Sequence, residues 1–177
     1  TIGVDETGTF NDENPFAIAA VLCPREAEVN LAEQMIDAGM NIWKEKPSEE
    51  IFAASDLSSF IESHPDISWF AIGTTGAITR QQKAAAAVTA AAYTLIQPNV
   101  SCTYSADKIA LIHDGGDDMY GNAQLHLRKQ ALTTFDYDFT SSFGEVFLTQ
   151  TPRGDQIYPS VMMADLISGQ VCNKIQK

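Results

Sequence analysis

Three well-separated aspartates, one of them followed by a glutamate, are the residues whose types and positions could do chemistry. Asp5 and Glu6 follow the short apolar strand that opens the chain, Asp114 follows a later apolar strand, and Asp165 lies inside an otherwise apolar helix. Burial disfavours the ionised form of a carboxyl group unless a cation or hydrogen-bond donors compensate. Asp5 and Glu6 alone could begin an exposed turn, but three such places together indicate a site.

The chemistry of such a site follows from its charge. Three or four carboxylates at one end of a sheet cannot all stay ionised without cations, and Mg²⁺ or Mn²⁺ binds hard oxygen ligands of this kind. Two such ions about 3.5–4 Å apart can activate a water and stabilise the leaving oxygen of a phosphodiester. We therefore predict that Asp5, Asp114 and Asp165 ligate two ions. Glu6 would be a fourth ligand or the acid that orients the water.

The elements that must position these acids can be predicted from apolar patterning. Apolar runs bounded by turn residues predict strands at 2–4, 15–24, 67–75, 108–112 and 144–149. Helical spacing of apolar residues predicts helices at 25–46, 57–63, 79–96, 122–134 and 158–175. Residues 97–107 are predicted to be irregular and residues 151–157 to form a loop. The first two strands are close enough for a hairpin, and the later ones alternate with helices. This order predicts an α/β fold, a mixed sheet with helices on its faces.

Composition limits the class of protein. The chain has 177 residues, of which 45% are hydrophobic, so we expect a single domain over residues 1–177. No apolar run approaches the ~20 residues of a membrane span, and no signal-peptide pattern is visible. The three cysteines, Cys23, Cys102 and Cys172, are too few and too far apart for a disulfide framework. We therefore expect a cytoplasmic protein.

The net charge bears on possible partners. It is −12, from 23 acidic against 11 basic residues. Proteins that bind nucleic acid gain affinity when Lys and Arg neutralise phosphates, and these residues are sparse here. Divalent ions held by carboxylates would offset part of the negative charge where a phosphate approaches. A protein partner, or a second copy of the chain, could supply further basic surface.

At this point the sequence resembles a known family. Gly3–Gly8 (Gly-Val-Asp-Glu-Thr-Gly) is similar to the Gly-x-Asp-Glu-x-Gly opening of type 2 and type 3 ribonucleases H, whose Glu is also catalytic. In ribonuclease-H-like proteins, acids stand at the ends of strands 1 and 4 and at the start of the last helix, which Asp5, Asp114 and Asp165 match. The resemblance implies a mixed five-stranded sheet with helices on both faces. It also implies a two-helix insert after strand 2, at about residues 25–64.

A large, poorly characterised ribonuclease-H-like family is more similar still over the whole chain. Its members open with Asp-Glu-Ser-Gly and close with a Leu-Ala-Asp-Leu motif, where this chain has Thr7 for Ser and Met163–Leu166 at the end. The Gly-Arg-Gly or Gly-Lys-Gly element that senses a ribonucleotide in type 2 and type 3 enzymes is Thr7–Thr9 here, without its base. The resemblance implies metal-dependent phosphodiester hydrolysis of RNA, DNA or a hybrid, but it does not extend to the sensing of a ribonucleotide at the cleavage site.

Two other interpretations stay open. Asp5–Thr9 is also similar to the nucleophile loop of haloacid-dehalogenase-type phosphatases, with Asp5 as a covalent nucleophile. The remaining residues of that site would be Asp114 and Asp118 for a metal, Thr74 or Thr75 for a hydroxyl, and Lys83 or Lys108 for the lysine. The other alternative is a ribonuclease-H-like module that binds without catalysis. The negative charge favours such a module, and the presence of all three aspartates argues against it.

The histidines are predicted to lie outside the catalytic set. His113 precedes Asp114 by one residue, so on a strand it should point to the opposite face of the sheet. His64 is placed at a helix end and His126 on the helix after strand 4. We interpret all three as core or surface residues.

Overall fold

The computed structural model describes residues 1–8, 14–37, 54–64, 66–96, 108–115 and 145–175. The strands in these parts of the chain are β1 (Ile2–Thr7), β2 (Phe16–Leu22), β3 (Ser68–Thr74), β4 (Lys108–Asp114) and β5 (Glu145–Thr151). The helices are α1 (Arg25–Asp37), α2 (Ala54–Glu62), α3 (Arg80–Ile96), α4 (Gly154–Ile157) and α5 (Pro159–Ile175). Among the described helices, none has the length and apolar character needed to cross a membrane.

The strands form one five-stranded sheet in the order β3-β2-β1-β4-β5. β1 pairs antiparallel with β2, and β2 pairs antiparallel with β3. On its other side β1 pairs parallel with β4, which pairs parallel with β5. The predicted mixed sheet is confirmed, and β1 lies at its centre.

The two faces of the sheet carry different helices. We call the side covered by α5, α1 and α2 the front face, and the side covered by α3 the back face. Because side chains alternate along a strand, Ala19 and Val21 of β2 join the front core, whereas Ile18 and Ala20 join the back core. The helices therefore lie on both faces, as predicted. The helices α1 and α2 follow β2 within the predicted insert.

Gly3 lets α5 approach β1 closely. A Cβ atom on Gly3 would lie 2.2 Å from the carbonyl carbon of Ser160 and 2.3 Å from the amide nitrogen of Val161. Further along both elements, the hydroxyl groups of Thr7 and Ser168 share a hydrogen bond of 2.8 Å. A strand rises about 6.7 Å over two residues, and a helix rises about 6 Å over four. The stretch of β1 from Gly3 to Thr7 is therefore about as long as the stretch of α5 from Ser160 to Ser168, and the two elements stay side by side. The front-facing residue between these two contacts is Asp5.

The structure corrects two local predictions. The first strand does not end at Val4, because pairing with β2 continues through Asp5, Glu6 and Thr7. The segment 151–157, predicted as a loop, contains the last residue of β5 and the short helix α4. The turn expected after β1 begins at Gly8, whose φ of 100° lies in the left-handed region that favours glycine.

Several predictions fall wholly or partly outside the described residues. These are the helix at 122–134, with His126, the irregular segment at 97–107, and Asp118. The predicted helix at 25–46 is described only as far as Asp37. Where both prediction and structure are available, the last helix agrees closely, with Pro159 in its first turn.

Candidate carboxylate site

Asp5 is the buried centre of the site. It lies on β1 with 7% of its surface exposed, and one carboxylate oxygen accepts a 2.7 Å hydrogen bond from the amide of Glu6. Burial raises the pKa of Asp5 well above its ordinary value, and the negative charges of Asp165, Glu6 and Asp114 raise it further. The three aspartates that the sequence singled out therefore interact electrostatically around one buried carboxyl group.

Asp114 reaches this site from β4. It is the last residue of that strand, and the parallel pairing of β1 with β4 sets Val4 opposite His113, so Asp5 and Asp114 follow a paired position on adjacent strands. The amide of Gly154 donates a 2.5 Å hydrogen bond to the Asp114 carboxylate. The short helix α4, in a segment predicted to be a loop, thus orients this side chain.

Asp165 comes from the helix on the front face. It is half-buried on α5, next to the buried Ala164 and Leu166. The resemblance places an acid at the start of the last helix, but Asp165 lies in the second turn of α5. The close approach at Gly3 and the Thr7–Ser168 hydrogen bond bring this part of α5 onto β1.

Asp155 is a further acid that sequence analysis missed. It lies in α4, directly after Gly154, and is half-buried. Burial raises the pKa of Asp155, and the negative charge of Asp114 adds to that rise. The signal available in the sequence was an acid a few residues before Pro159, the proline that opens the last helix.

The side chain of Glu6 points to the back face of the sheet, opposite to Asp5. Its carboxylate accepts a 2.6 Å hydrogen bond from Nε2 of the buried His113 and a hydrogen bond from Nζ of the buried Lys83 on α3. Burial alone would raise the pKa of Glu6, but the hydrogen bonds and charges of His113 and Lys83 outweigh it and lower the pKa. The predicted metal ligand Glu6 is therefore bound by a cation and an imidazole at the back face.

The back-face contacts have partial signals in the sequence. His113 points away from Asp114, as alternation along the strand predicts, but it binds Glu6 rather than only filling the core. Lys83 precedes an alanine-rich helical stretch in which Ala84 and Ala87 are buried. A lysine beside so many core-facing alanines indicates a buried partner, because a buried ammonium group requires one.

The donor chemistry of the front-face acids suits a divalent ion. Asp5, Asp114, Asp155 and Asp165 offer carboxylate oxygens, the ligands that Mg²⁺ prefers. In the parts of the chain that the structure describes, no three His, Cys, Asp or Glu side chains are arranged to hold one ion. Mg²⁺ usually takes only one or two carboxylates and completes its shell with waters and phosphate oxygens. The donor chemistry of these four acids therefore suits such an ion.

The positions of Lys83 and Lys108 argue against the phosphatase interpretation, which needs a lysine beside Asp5 and Asp114. Lys83 is bound to Glu6 on the back face, whereas Asp5 faces α5 on the front. Lys108 begins β4 and Asp114 ends it, which separates them by about 20 Å along the strand. Within the described residues, neither candidate lysine accompanies Asp5 and Asp114, and Asp165 stands where that alternative has no use for it.

The architecture is that of a ribonuclease-H-like fold. The central strand has one antiparallel and one parallel neighbour, and two further strands lie outside them. Helices cover both faces, and acids lie at the strand ends. The PCNA:RNase HII complex from Archaeoglobus fulgidus matches with a TM-score of 0.55 and 14% identity, over 98% of this chain and 72% of that one. Ribonuclease H2 from Pyrococcus horikoshii OT3 matches with a TM-score of 0.58 and 16% identity, over 98% of this chain and 72% of that one.

A mutant of Bst-RNase HIII has the same general fold, with a TM-score of 0.54 and 16% identity. It is matched over 98% of this chain and 51% of its own length. Identities this low establish likeness of fold alone. No family model matches the sequence, and no curated protein is detectably similar to it. The fold is thus ribonuclease-H-like, and the finer assignment to the family with the Asp-Glu-Ser-Gly opening is not confirmed.

We predict that Asp5→Asn stabilises the protein at neutral pH when a chelator is present. The pKa of Asp5 is raised in the folded state. Its contribution to the free energy of unfolding is therefore fully present only below the unfolded pKa of 3.8, and it is lost as the pH rises through the folded pKa. Asparagine removes that cost and can keep the hydrogen bond from Glu6. The melting temperature should rise by about 2–6 °C at pH 7.

Two controls frame this measurement. The difference in melting temperature should shrink as the pH is lowered towards 4, because the wild-type carboxyl group becomes protonated. Mn²⁺ should raise the melting temperature of the wild type more than that of Asp5→Asn, because a ligand that binds only the folded state stabilises it. A lower melting temperature for Asp5→Asn in chelator at pH 7 would contradict the repulsion inferred around Asp5.

Proposed function

We propose that this chain is a divalent-metal-dependent phosphodiester hydrolase that acts on nucleic acid. The observation that supports it most directly is the convergence of the charges of Asp165 and Asp114 on the buried Asp5, on the front face of a ribonuclease-H-like sheet. An uncompensated arrangement of this kind is costly, and perturbed carboxyl groups of this type cluster at functional sites. We also propose that residues 1–177 act as one domain.

The position of each front-face aspartate indicates its proposed role in binding metal ions. Asp5 is the most buried of the three and would hold an ion from the centre of the sheet. Asp114, oriented by the Gly154 amide, and Asp165, carried by α5, would hold ions from either side of Asp5. Asp155 adds negative charge beside Asp114 and would retain a second ion or its water. Bound Mg²⁺ or Mn²⁺ would supply water activation and stabilisation of the leaving oxygen.

The proposed substrate class is RNA, DNA or a hybrid of the two. The structural neighbours are named as ribonucleases H, which supports a polynucleotide over a small phosphate ester. The charge of −12 opposes binding of a polyanion, and metal ions at the site would offset part of it locally. One neighbour was solved in a complex with PCNA. We propose that a protein partner or a second copy of this chain supplies basic surface for nucleic acid.

A cleavage assay with metal removal tests the proposal. Labelled single-stranded RNA, single-stranded DNA, both duplexes and an RNA–DNA hybrid would each be incubated with Mn²⁺, Mg²⁺ or EDTA. We expect at least one polynucleotide to be cleaved with either metal and none in EDTA. A generic phosphomonoester serves as the comparison substrate. Turnover of the phosphomonoester alone, lost in Asp5→Asn but kept in Asp165→Asn, would replace this proposal with the phosphatase.

A further inference from the structure

We propose that Glu6, Lys83 and His113 form a clasp on the back face that holds Asp5 and Asp114 at their separation on the front face. The three are positioning residues, and Glu6 is not a metal ligand. The catalytic consequence of this clasp rests on the proposed function. Its structural consequence, the joining of β1, β4 and α3, does not.

The position of the clasp in the chain is the first observation. Glu6 directly follows Asp5, and His113 directly precedes Asp114. Because side chains alternate along a strand, a contact between Glu6 and His113 on one face fixes the backbones that carry Asp5 and Asp114 on the other. The 2.6 Å hydrogen bond between Glu6 and His113 joins the two strands at this point.

The pairing of β1 with β4 ends just before the acids. Its register runs from Ile2 opposite Leu111 to Val4 opposite His113, and Asp5 and Asp114 lie one residue beyond it. The mutual repulsion of these two carboxylates tends to separate the strand ends at that point. The side-chain bond from Glu6 to His113 continues the connection between the strands where the described register stops.

Lys83 anchors the clasp to α3. Its side chain is 6% exposed, and its ammonium group forms an ion pair with Glu6. A buried charge requires a partner of opposite sign, and this pair meets that requirement for both groups. The positive charge of Lys83 also offsets part of the negative charge of Glu6, which adds to the repulsion around Asp5.

The engagement of both carboxylate oxygens argues against a ligand role. Oε1 of Glu6 accepts from Lys83 and Oε2 accepts from His113. To bind an ion beside Asp5, the carboxylate would have to leave both partners and move around the edge of the strand. Outer-shell partners of this kind orient ligands, and their loss typically lowers metal affinity by about 10–100-fold.

Calorimetric titration of the full chain with Mn²⁺ distinguishes the two roles of Glu6. In the double variant Glu6→Gln with Lys83→Met, the amide oxygen can still accept from His113 and no buried charge is left without its partner, so a positioning residue predicts affinity within about threefold of wild type. In Glu6→Ala the clasp is lost, and we expect affinity to fall by about tenfold. If the double variant weakens Mn²⁺ binding as much as Asp5→Asn does, Glu6 is a ligand and the inference is overturned.

Thermal unfolding in EDTA tests the clasp without metal or activity. Because Glu6 and Lys83 form one buried pair, Glu6→Gln combined with Lys83→Met should unfold at no lower temperature than Lys83→Met alone. Lys174→Met, at an exposed lysine of α5, is the matched control and should change little. Strict additivity of the two melting-temperature changes would overturn the clasp. If the wild type binds no Mn²⁺, the proposed function fails. The comparison of the single and double variants in EDTA still tests the clasp, because it needs no metal.

Discussion

Asp165→Asn is expected to lower the rate of metal-dependent cleavage of a polynucleotide by about 100-fold or more. The change preserves the size of the side chain and removes the charge that most strongly raises the pKa of Asp5 after burial itself. A ligand of a catalytic ion contributes to transition-state stabilisation of several kcal/mol, which corresponds to a factor of this size. The measurement is the single-turnover cleavage rate at saturating Mn²⁺.

The comparison variant is Asp37→Asn, which neutralises an exposed aspartate at the end of α1. It makes the same change in net charge and should cleave at the wild-type rate. Asp165→Asn should also remain folded, with a melting temperature in EDTA no lower than that of wild type, because it relieves repulsion at the site. Equal rates for Asp165→Asn and Asp37→Asn would remove Asp165 from the catalytic set.

Gly3→Ala is expected to have the largest effect on stability. The added methyl group would meet the backbone of α5 at 2.2–2.5 Å, and backbone atoms cannot rotate away as a side chain can. We expect a loss near the upper end of the range for overpacking, about 3 kcal/mol in the free energy of unfolding. This corresponds to a fall in melting temperature of about 6–12 °C for a chain of this length.

Thermal and urea unfolding followed by far-ultraviolet circular dichroism would measure this loss. Gly76→Ala is the matched control, because a Cβ atom there would meet only the Thr74 hydroxyl oxygen, at 3.9 Å. It should change the melting temperature little. If Gly3→Ala is as stable as Gly76→Ala, then β1 and α5 are not packed as closely as described, and the placement of Asp165 beside Asp5 fails with it.

The sheet and the three aspartates could be predicted because their signals are local. Apolar runs mark buried strands, and a carboxylate that directly follows or interrupts such a run is costly wherever the chain places it. Asp5, Asp114 and Asp165 could therefore be identified before any contact was known. Their convergence followed from the strand order that the resemblance implies.

The role of Glu6 could not be predicted in the same way. The choice of face along β1 depends on which neighbour each side packs against, and Gly3 carries no side chain to show it. In hindsight Ile2, Val4 and Glu6 share one face, which is the back face with α3, while Gly3 and Asp5 share the other. The partners Lys83 and His113 come from distant parts of the sequence, so only the folded structure brings them to Glu6.

A Mn²⁺-soaked crystal, examined by anomalous scattering, tests the central claim most directly. We predict anomalous peaks on the front face within bonding distance of the carboxylate oxygens of Asp5 and of Asp114 or Asp165, with Glu6 still bound to Lys83 and His113. An absence of Mn²⁺ at Asp5 at saturating concentration would contradict the claim. So would ions that bind Glu6 in place of Lys83 and His113.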